Sequence, residues 1–405
     1  MNTVVEGHPR HLMNITPRPE AVMVRGRGSW LWDSAGRRYL DFVQGWAVNC
    51  LGHSHPALTQ ALTQQAGELL TPSPAYHNAQ ALRLATRLAQ LTGLAQVFFA
   101  SSGAEANEGA IKLARKWGRL HRGGAWKIIT LHKGYHGRTL ATMSATGKPG
   151  WGSMFAPQVP GFVKAQLNDL ASVEALIDAD TVALMLELVQ GEAGVHGATP
   201  EFAQGLRQLC DRHGLLLIVD EVQTGIGRLG TLFGCQRYGI SPDIMTLGKG
   251  LGGGVPLTAL LASASASCFD YGEQGGTFCG NPFTAAAGNA VLDVVAQAEF
   301  LAEVRARSAQ LQAGLRALQQ RHQLAEVRAF GLLQALELGP GRNATALAAA
   351  ALERGLLLNA PNPGCLRLMP ALNVRSEEIE QMLEMLDALL AEPCAQTPAR
   401  CALSA

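Results

Sequence analysis

The lysine at position 249 is the residue whose placement most directly suggests chemistry. It lies in the stretch DIMTLGKGLGGGVPL, residues 243–257, where glycines surround it directly after an apolar run typical of a β-strand. No lysine follows Lys164 except Lys249, and the chain otherwise uses arginine there for permanent positive charge. A primary amine condenses with a carbonyl group at neutral pH, whereas a guanidinium does not. The sequence therefore predicts a covalent role for Lys249.

Three further loops follow apolar runs and carry groups that could hold a ligand. A Ser-Ser-Gly-Ala turn, residues 101–104, opens a helical segment, so its backbone N–H groups and the positive helix end suit a phosphate. Asp220 follows the run LLIV, and the segment HKGYHGRT offers an aromatic ring at Tyr135 and a cation at Arg138. In open parallel sheets, ligands bind beyond the carboxyl ends of the strands. We therefore expect these loops to meet at one site.

Each of these features alone also has an ordinary structural explanation. A Ser-Gly turn or an aspartate after a strand can be a helix cap, and a lysine among glycines can be a solvated turn. Together they provide a phosphate cradle, a carboxylate, a stacking aromatic and an amine. Pyridoxal phosphate needs all four, because it carries a phosphate, a ring nitrogen that must stay protonated, a flat ring and an aldehyde. It is the predicted cofactor.

Two nucleotide-binding motifs compete with this interpretation of the Lys249 loop. The segment GKGLGG, residues 248–253, matches G-x-G-x-x-G, and Asp270 lies about 20 residues further on, as in a dinucleotide fold. However, Pro256 follows closely, and the next run, LTALLAS, is short and strand-like where that motif needs a packed helix. A Walker loop would need Ser or Thr after the lysine, and Gly250 stands there. Both alternatives are disfavoured.

Composition argues against several other classes of protein. The net charge is +1, with 47% apolar and 16% charged residues, so we expect no nucleic-acid or membrane partner. No apolar run reaches the roughly 18 residues of a spanning helix, and the start, MNTVVEGHPRHLMN, lacks the apolar core of a signal peptide. The eight cysteines have no C-x-x-C spacing, which predicts free thiols and no metal site. We expect a cytoplasmic protein.

Six apolar runs alternate with segments of helical periodicity and predict an α/β fold. Because the runs are apolar on both faces, we expect strands of a mainly parallel sheet covered by helices. They are residues 95–100, 126–131, 181–189, 215–219, 243–247 and 257–263. A chain of 405 residues favours two domains. The predicted division is a large α/β domain over residues 51–295, a smaller α+β domain over residues 296–392 with a contribution from residues 1–50, and a mobile tail over residues 393–405.

Longer segments of the sequence resemble one enzyme family. They are FFASSGAEANEGAIKLARK, YHGRTLATMSATG, VQGEAGV, LLIVDEVQTGIGRLGTLF, PDIMTLGKGLGGGVPLTALL and GGTFCGNP. In this order they resemble the class III aminotransferases, which have PLP fold type I, over roughly residues 20–390. Within that class, YLDFVQGWAVNCLGHSHP and LRLMPALNV are most similar to N-acetylornithine aminotransferases. The resemblance implies transfer of the terminal amino group of N-acetylornithine to 2-oxoglutarate, as in arginine biosynthesis, giving N-acetylglutamate semialdehyde and glutamate.

Other activities share these motifs and stay open at this point. Ornithine, succinylornithine, succinyldiaminopimelate and 4-aminobutyrate transaminases belong to the same class. An aminomutase or racemase would share the fold, and a non-enzymatic protein could keep it. A requirement for 2-oxoglutarate separates a transaminase from an aminomutase, which needs no external acceptor.

The resemblance assigns the cofactor contacts residue by residue. Lys249 would bind the aldehyde as an imine and, once released by the amino donor, would act as general base. Asp220 would keep the ring nitrogen protonated through a charge-assisted hydrogen bond of about 1.5–3 kcal/mol. Tyr135 and Val222 would cover the two ring faces, and Gln223 would bond the ring hydroxyl. The phosphate would contact Ser102, Gly103 and Ala104.

The resemblance also implies substrate contacts and a homodimer. Arg138 would bind a substrate carboxylate, with Gly276 close by, and Glu192 would pair with Arg367 in a switch that releases the arginine to glutamate. Thr277 would reach the phosphate in the partner subunit, so that two copies share their active sites.

The chain departs from the family pattern at two of these positions. Tyr135 stands where phenylalanine is commoner, and Leu188 in LELVQGE stands where proline is usual.

Overall fold

The computed structural model describes residue 7 and residues 9–392, so the tail predicted over residues 393–405 lies outside the described residues. The strands are β1 (Met23–Arg27), β2 (Trp30–Asp33), β3 (Arg38–Asp41), β4 (Gln96–Ala100), β5 (Lys127–Leu131), β6 (Phe162–Ala165), β7 (Thr181–Leu186), β8 (Val189–Gln190), β9 (His196–Gly197), β10 (Leu216–Glu221), β11 (Ile244–Leu247), β12 (Thr258–Ala262), β13 (Glu326–Phe330), β14 (Leu333–Glu337), β15 (Leu356–Leu357), β16 (Asn359–Asn362) and β17 (Cys365–Leu368).

Helices fill most of the segments between these strands. They are α1 (Gln44–Ala47), α2 (Pro56–Glu68), α3 (Ala79–Thr92), α4 (Gly103–His121), α5 (Leu140–Ala145), α6 (Trp151–Met154), α7 (Leu170–Glu174), α8 (Pro200–His213), α9 (Gly234–Tyr238), α10 (Pro282–Val295), α11 (Ala298–His322), α12 (Ala344–Glu353) and α13 (Ser376–Ala391), with 3-10 turns at Pro9–His11 and Lys249–Leu251. Within the part of the chain that the structure describes, none of the helices combines the length and apolarity needed to cross a membrane.

The largest sheet has the strand order β4-β12-β11-β10-β7-β5-β6. The pairs β10–β11, β10–β7, β5–β7 and β5–β6 are parallel, which confirms the predicted α/β fold with a mainly parallel sheet. The last apolar run is the exception to the parallel arrangement, because β12 runs antiparallel to both β11 and β4. The chain returns from β11 through a loop with a single 3-10 turn, and antiparallel neighbours need no crossover helix.

Successive side chains of the central strands enter two different apolar clusters. In β10, Leu217 and Val219 belong to one cluster, whereas Leu216 and Ile218 belong to the other. This alternation follows from the two-residue period of a strand whose two faces are both covered. It places the central strands of the sheet in the interior of the protein.

The N-terminal strands are completed by residues from near the other end of the chain. The second sheet has the order β1-β2-β3-β15, and β15 pairs in parallel with β3, Leu356 lying opposite Leu40. Ser29 Oγ also donates a 2.8 Å hydrogen bond to Glu378 Oε2 at the start of α13. The N-terminal strands thus pack with the C-terminal segment.

The C-terminal segment forms a third, antiparallel sheet that shares its core with the large sheet. Its order is β13-β14-β17-β16, with α11 and α13 packed together beside it. Leu366 of β17 and Met382 of α13 lie in the same continuous apolar cluster as Leu217 of β10. The C-terminal sheet and the large sheet therefore share one apolar core. The domain boundaries at residues 50, 295 and 392 stay predictions.

Candidate functional site

The loops at the carboxyl ends of β4, β5, β10 and β11 border one cavity of about 470 Å³. Ten of the residues predicted from the sequence line it: Ser102, Gly103, Ala104, Tyr135, Arg138, Glu192, Asp220, Val222, Gln223 and Lys249. The volume lies within the usual range for a small-molecule site. The strand-end loops therefore meet, as the sheet rule predicted.

Lys249 enters the cavity from a tightly packed glycine loop after β11. Its backbone φ is +42°, and a Cβ on Gly248 would lie 2.9 Å from Thr258 Cγ2. A Cβ on Gly252 would lie 2.0 Å from the carbonyl oxygen of Val255, so the loop can close only with glycine there. Burial lowers the pKa of the Lys249 amine, although Glu192 opposes that effect. A neutral amine is the form that attacks a carbonyl.

Four groups hydrogen-bond to Asp220 at the end of β10, and the longest of these bonds is the 3.5 Å one from Thr246 Oγ1 to its Oδ1. Its Oδ2 lies 2.9 Å from His136 Nδ1 and accepts a 2.8 Å bond from Asn107 Nδ2, while its Oδ1 accepts from the Val222 backbone N–H. Asn107 is itself oriented, because Thr246 Oγ1 donates to its Oδ1 at 2.7 Å. The carboxylate consequently has a fixed orientation toward the cavity.

These supports of Asp220 were missed at the sequence level. His136 directly follows Tyr135, and Asn107 lies in the GAEANEG segment, so both were inside motifs that the sequence displays. Both side chains are buried, with exposed fractions of 2% and 1%. Both residues are polar and stand in motifs that surround the site. Because a buried carboxylate must have hydrogen-bond partners, they were candidates for supporting Asp220.

The first turn of α4 offers backbone donors for an anion. Ser102 is the N-cap, and Glu105 completes a capping box in which the Ser102 N–H donates to Glu105 Oε2 at 3.0 Å. The Ser102 N–H is therefore already bonded within the chain. Gly103 and Ala104 occupy the first helical positions, where backbone N–H groups have no partner within a helix. Of the three residues predicted for phosphate, these two supply the open backbone donors.

The side-chain amide of Gln223 is the group that best tests whether a cofactor with a polar ring fits the cavity. Among the described residues, neither polar atom of its amide has a hydrogen-bond partner, although the side chain is only 7% exposed. A Cβ on Gly191 would lie 1.6 Å from Gln223 Oε1, so glycine at that position leaves room for the amide. Buried amides are normally bonded. An unpaired one lining a cavity between Tyr135 and Lys249 fits a cofactor with a polar ring substituent.

Glu187 is a third site residue, after His136 and Asn107, that was not predicted from the sequence. It is buried, lines the cavity, and its Oε2 accepts a 2.7 Å hydrogen bond from the Tyr135 backbone N–H. Burial and the neighbouring Asp220 raise the pKa of the Glu187 carboxyl well above its ordinary value. Leu188, the neighbouring residue at which the chain departs from the family pattern, is a core residue with no exposed surface.

Glu192 and Arg367 form the ion pair that the resemblance predicted. Arg367 Nη1 donates to Glu192 Oε1 at 2.7 Å, and Arg367 Nε donates to Asn359 Oδ1 at 2.9 Å. Burial acts to raise the pKa of Glu192, but Arg367 and Lys249 outweigh it, so that pKa is lowered overall. Arg367, on β17, is 1% exposed and lies behind Glu192, which lines the cavity.

Three predicted residues do not line this cavity. Arg367 contacts it only through Glu192, whereas Gly276 lies in a separate cleft of about 730 Å³ and Thr277 is exposed in the same loop. Within one chain, therefore, Gly276 is not among the residues beside Arg138. The predicted role of Thr277 involves a partner subunit and stays a prediction.

The chain belongs to the class-III aminotransferase family, whose model matches residues 14–390. It is 59% identical over 382 residues to acetylornithine aminotransferase 2 of Bordetella bronchiseptica, covering 94% of this chain and 96% of that protein. It is 57% identical over 385 residues to acetylornithine aminotransferase of Ralstonia nicotianae, covering 94% and 96%.

Solved structures give the same picture of the fold. N-acetylornithine aminotransferase from Stenotrophomonas maltophilia superposes with a TM-score of 0.81 at 37% identity, covering 93% of this chain and 96% of that one. Ornithine aminotransferase from Toxoplasma gondii superposes with a TM-score of 0.90 at 30% identity, covering 94% and 93%. The protein is an aminotransferase with the fold that the sequence predicted.

Proposed function

We propose that the protein is a pyridoxal-phosphate-dependent transaminase that moves the terminal amino group of N-acetylornithine to 2-oxoglutarate. The observation that carries the proposal is the meeting of Lys249, Asp220 and the unpaired Gln223 amide in one cavity of a class-III aminotransferase. The names of the relatives at 57% and 59% identity support acetylornithine as the donor.

Pyridoxal phosphate, when bound, supplies an aldehyde that takes up amines and a ring that accepts electrons. The residues present fit it. Lys249 would hold the aldehyde carbon, Asp220 the proton on the ring nitrogen, and Gln223 the ring hydroxyl. Tyr135 and Val222 would confine the ring, and the N–H groups that open α4 would hold the phosphate.

Lys249 is the residue that moves the proton in this proposal. Its lowered pKa increases the fraction of neutral amine, which is the form that can remove a proton from the substrate carbon. Asp220 contributes a fixed negative charge, because His136, Asn107 and a backbone N–H hold it in place before any substrate binds.

Two arginines would let one pocket accept two different substrates. Acetylornithine has an uncharged methylene beside its reacting amine, whereas glutamate has a carboxylate there. Arg138 would bind the far carboxylate of both substrates. Arg367 would stay paired with Glu192 for acetylornithine and exchange that partner for the second carboxylate of glutamate. Such an exchange has a small net cost, since the arginine is never left unpaired.

We also infer a homodimer in which two chains complete each site. Tyr76, Tyr271 and Phe278 are large aromatic residues exposed on one chain, and Tyr76 lines the cleft that contains Gly276. Burial of such exposed apolar groups against a second chain would favour association. Mixing Lys249→Ala chains with Thr277→Ala chains should recover activity, because one site of the hybrid has both residues intact. Hybrids that stay inactive would contradict sharing.

A cytoplasmic location is part of the proposal. The cysteines within residues 9–392 are free thiols, four of them buried, as is usual in a reducing compartment. Fractionation of source cells should place the activity with the soluble cytoplasmic fraction, and recovery in an exported or membrane fraction would refute this placement.

A donor panel tests the proposed reaction. The holoenzyme would be assayed with acetylornithine, succinylornithine, ornithine, succinyldiaminopimelate and 4-aminobutyrate, each with 2-oxoglutarate, and kcat/KM compared. We expect acetylornithine to have the highest value and turnover to require the 2-oxo acid. A higher value for another donor would overturn the substrate, and turnover without an acceptor would indicate an aminomutase. Borohydride reduction followed by peptide mapping should label Lys249.

A further inference from the structure

Trp151, at the start of α6, is the centre of an aromatic and cationic cluster at the edge of the cavity. The Arg138 guanidinium carbon lies 5.6 Å from the centroid of its indole ring, and Lys148 Nζ lies 5.2 Å from the same centroid. The Tyr135 ring packs edge-on against it at 5.8 Å, with an interplanar angle of 68°. Trp151 itself is only 8% exposed and does not line the cavity, whereas Tyr135 and Arg138 do.

Arg138 needs such support more than the other charged groups of the site. Its side chain is exposed, and a free arginine samples many rotamers whose loss opposes binding. Besides the indole ring, its Nε donates a 3.4 Å hydrogen bond to the Tyr135 hydroxyl, a group that phenylalanine would lack. A cation over an aromatic ring within about 6 Å is attracted to the negative ring face. Trp151 and Tyr135 together limit where the guanidinium can lie.

The position of Lys148 indicates what this end of the site prefers to bind. Two cations that share one indole ring repel each other, and an anion between or beside them relieves the repulsion. Burial acts to raise the pKa of Glu192, and Arg367 and Lys249 lower it, with a smaller contribution in the same direction from Lys148. The cluster therefore suits a carboxylate at the Arg138 end of the substrate.

We propose that Trp151 is a positioning residue, which fixes Arg138 for the far carboxylate of the substrate through its indole ring. This inference rests on the proposed function, in which Arg138 binds that carboxylate. Trp151 acts through Arg138 and Tyr135 and does not touch the substrate. Its removal should weaken recognition of the carboxylate while leaving cofactor binding and the proton transfer by Lys249 intact.

A pair of donors isolates this effect in the holoenzyme. N-acetylputrescine is acetylornithine without the α-carboxylate, so the ratio of kcat/KM for the two donors measures recognition of that group. Trp151→Leu should lower the ratio about five- to thirtyfold, mainly through KM for acetylornithine. Trp151→Phe keeps an aromatic face and should stay within about threefold of the parent. The cofactor absorbance of both variants should match the parent.

A matched control comes from Trp126. Its ring has the Arg115 guanidinium carbon at the same 5.6 Å, but neither residue lines the cavity. Trp126→Leu should leave the donor ratio unchanged. If Trp151→Leu does not hold the cofactor, site-specific fluorination of Trp151 keeps its shape while weakening the ring face, and the ratio should fall with each added fluorine.

Arg138→Leu separates failure of this inference from failure of the proposed function. If Arg138→Leu does not lower the donor ratio, the proposed role of Arg138 is wrong. If it does, while neither Trp151→Leu nor fluorination lowers the ratio, only the positioning role is wrong. In the double variant, Trp151→Leu should add little to the loss from Arg138→Leu, since both act through one guanidinium, and fully additive losses would overturn the inference.

Discussion

Replacing Glu192 by alanine should separate the two half-reactions of the proposed transamination. In the parent, glutamate must take Arg367 from Glu192, whereas acetylornithine leaves the 2.7 Å pair intact. Without Glu192, the one side-chain hydrogen bond left to the arginine among the described residues is that to Asn359, so the guanidinium is permanently available. We expect the glutamate half-reaction to be kept or improved and the acetylornithine half-reaction to be slowed.

The size of the effect follows from the burial of Arg367. The side chain is 1% exposed, so water can satisfy little of its charge. A hydrogen bond to a charged group contributes about 1.5–3 kcal/mol, which corresponds to roughly 10- to 100-fold. The acetylornithine half-reaction, which places a methylene beside the unpaired guanidinium, should slow by about that factor. The apparent affinity for glutamate should rise by up to the same factor, because no internal carboxylate competes.

Single-turnover experiments measure the two halves separately. Each amino donor is mixed with excess holoenzyme in the absence of the other substrate, and the change in cofactor absorbance gives the rate. Glu337→Ala is the control, since it removes a carboxylate 2.7 Å from the buried Arg328 in the same C-terminal sheet but outside the cavity. Equal slowing of both halves by Glu192→Ala would refute the switch and leave Glu192 a structural residue.

Three other substitutions test the site. Lys249→Arg keeps the charge but cannot form the imine or act as base, so single-turnover rates should fall at least about 100-fold; turnover within tenfold of the parent would disprove the role. Asp220→Asn should bind cofactor and lose about 10- to 100-fold in kcat, and an unchanged kcat would leave Asp220 only a cap. Burial and the charge of Asp220 raise the pKa of Glu187 in the folded protein. The protonated carboxyl therefore contributes its full stability at pH values below the ordinary glutamate pKa of about 4.3, and this contribution is lost as the pH rises through the folded-state pKa. Glu187→Gln cannot ionise, so denaturant unfolding of the cofactor-free protein should show that this variant gains stability relative to the parent across that window. Glu384 is exposed, and Glu384→Gln is the control that should show no such gain. Parallel curves of stability against pH for the parent and Glu187→Gln would contradict this prediction.

The residues that the sequence located are those whose positions depend on local rules. Asp220 lies at the end of β10, and Lys249 follows β11 after one glycine. Because parallel strands bring their carboxyl ends to one edge of a sheet, predicting that the two residues meet required no knowledge of strand order. The turn at residues 101–104 was likewise identifiable from its place at a helix start. For these loops, their position in the chain and the geometry of a parallel sheet were sufficient to predict that they form one site.

The residues that the sequence did not reveal depend on packing between distant segments. Asn107 faces Asp220 because one side of α4 lies on the sheet, and Trp151 reaches Arg138 only after α6 folds back beside the loop following β5. The direction of β12 also depended on the path of the loop after β11, which apolar periodicity does not encode. Such contacts depend on the tertiary structure, which cannot be predicted from the patterns in a single sequence.

The pairing of β3 with β15 sets an order of events during synthesis. Leu40 leaves the ribosome early, but its partner Leu356 belongs to the last part of the chain, and the bond from Ser29 to Glu378 spans 349 positions. Contacts of such long sequence separation form late, because the loop between them must close first. Strands β1, β2 and β3 thus cannot complete their sheet until Leu356 and Leu357 have emerged from the ribosome. Until then, the edge of β3 is open to pairing with another strand, and chaperone binding should concentrate on this segment.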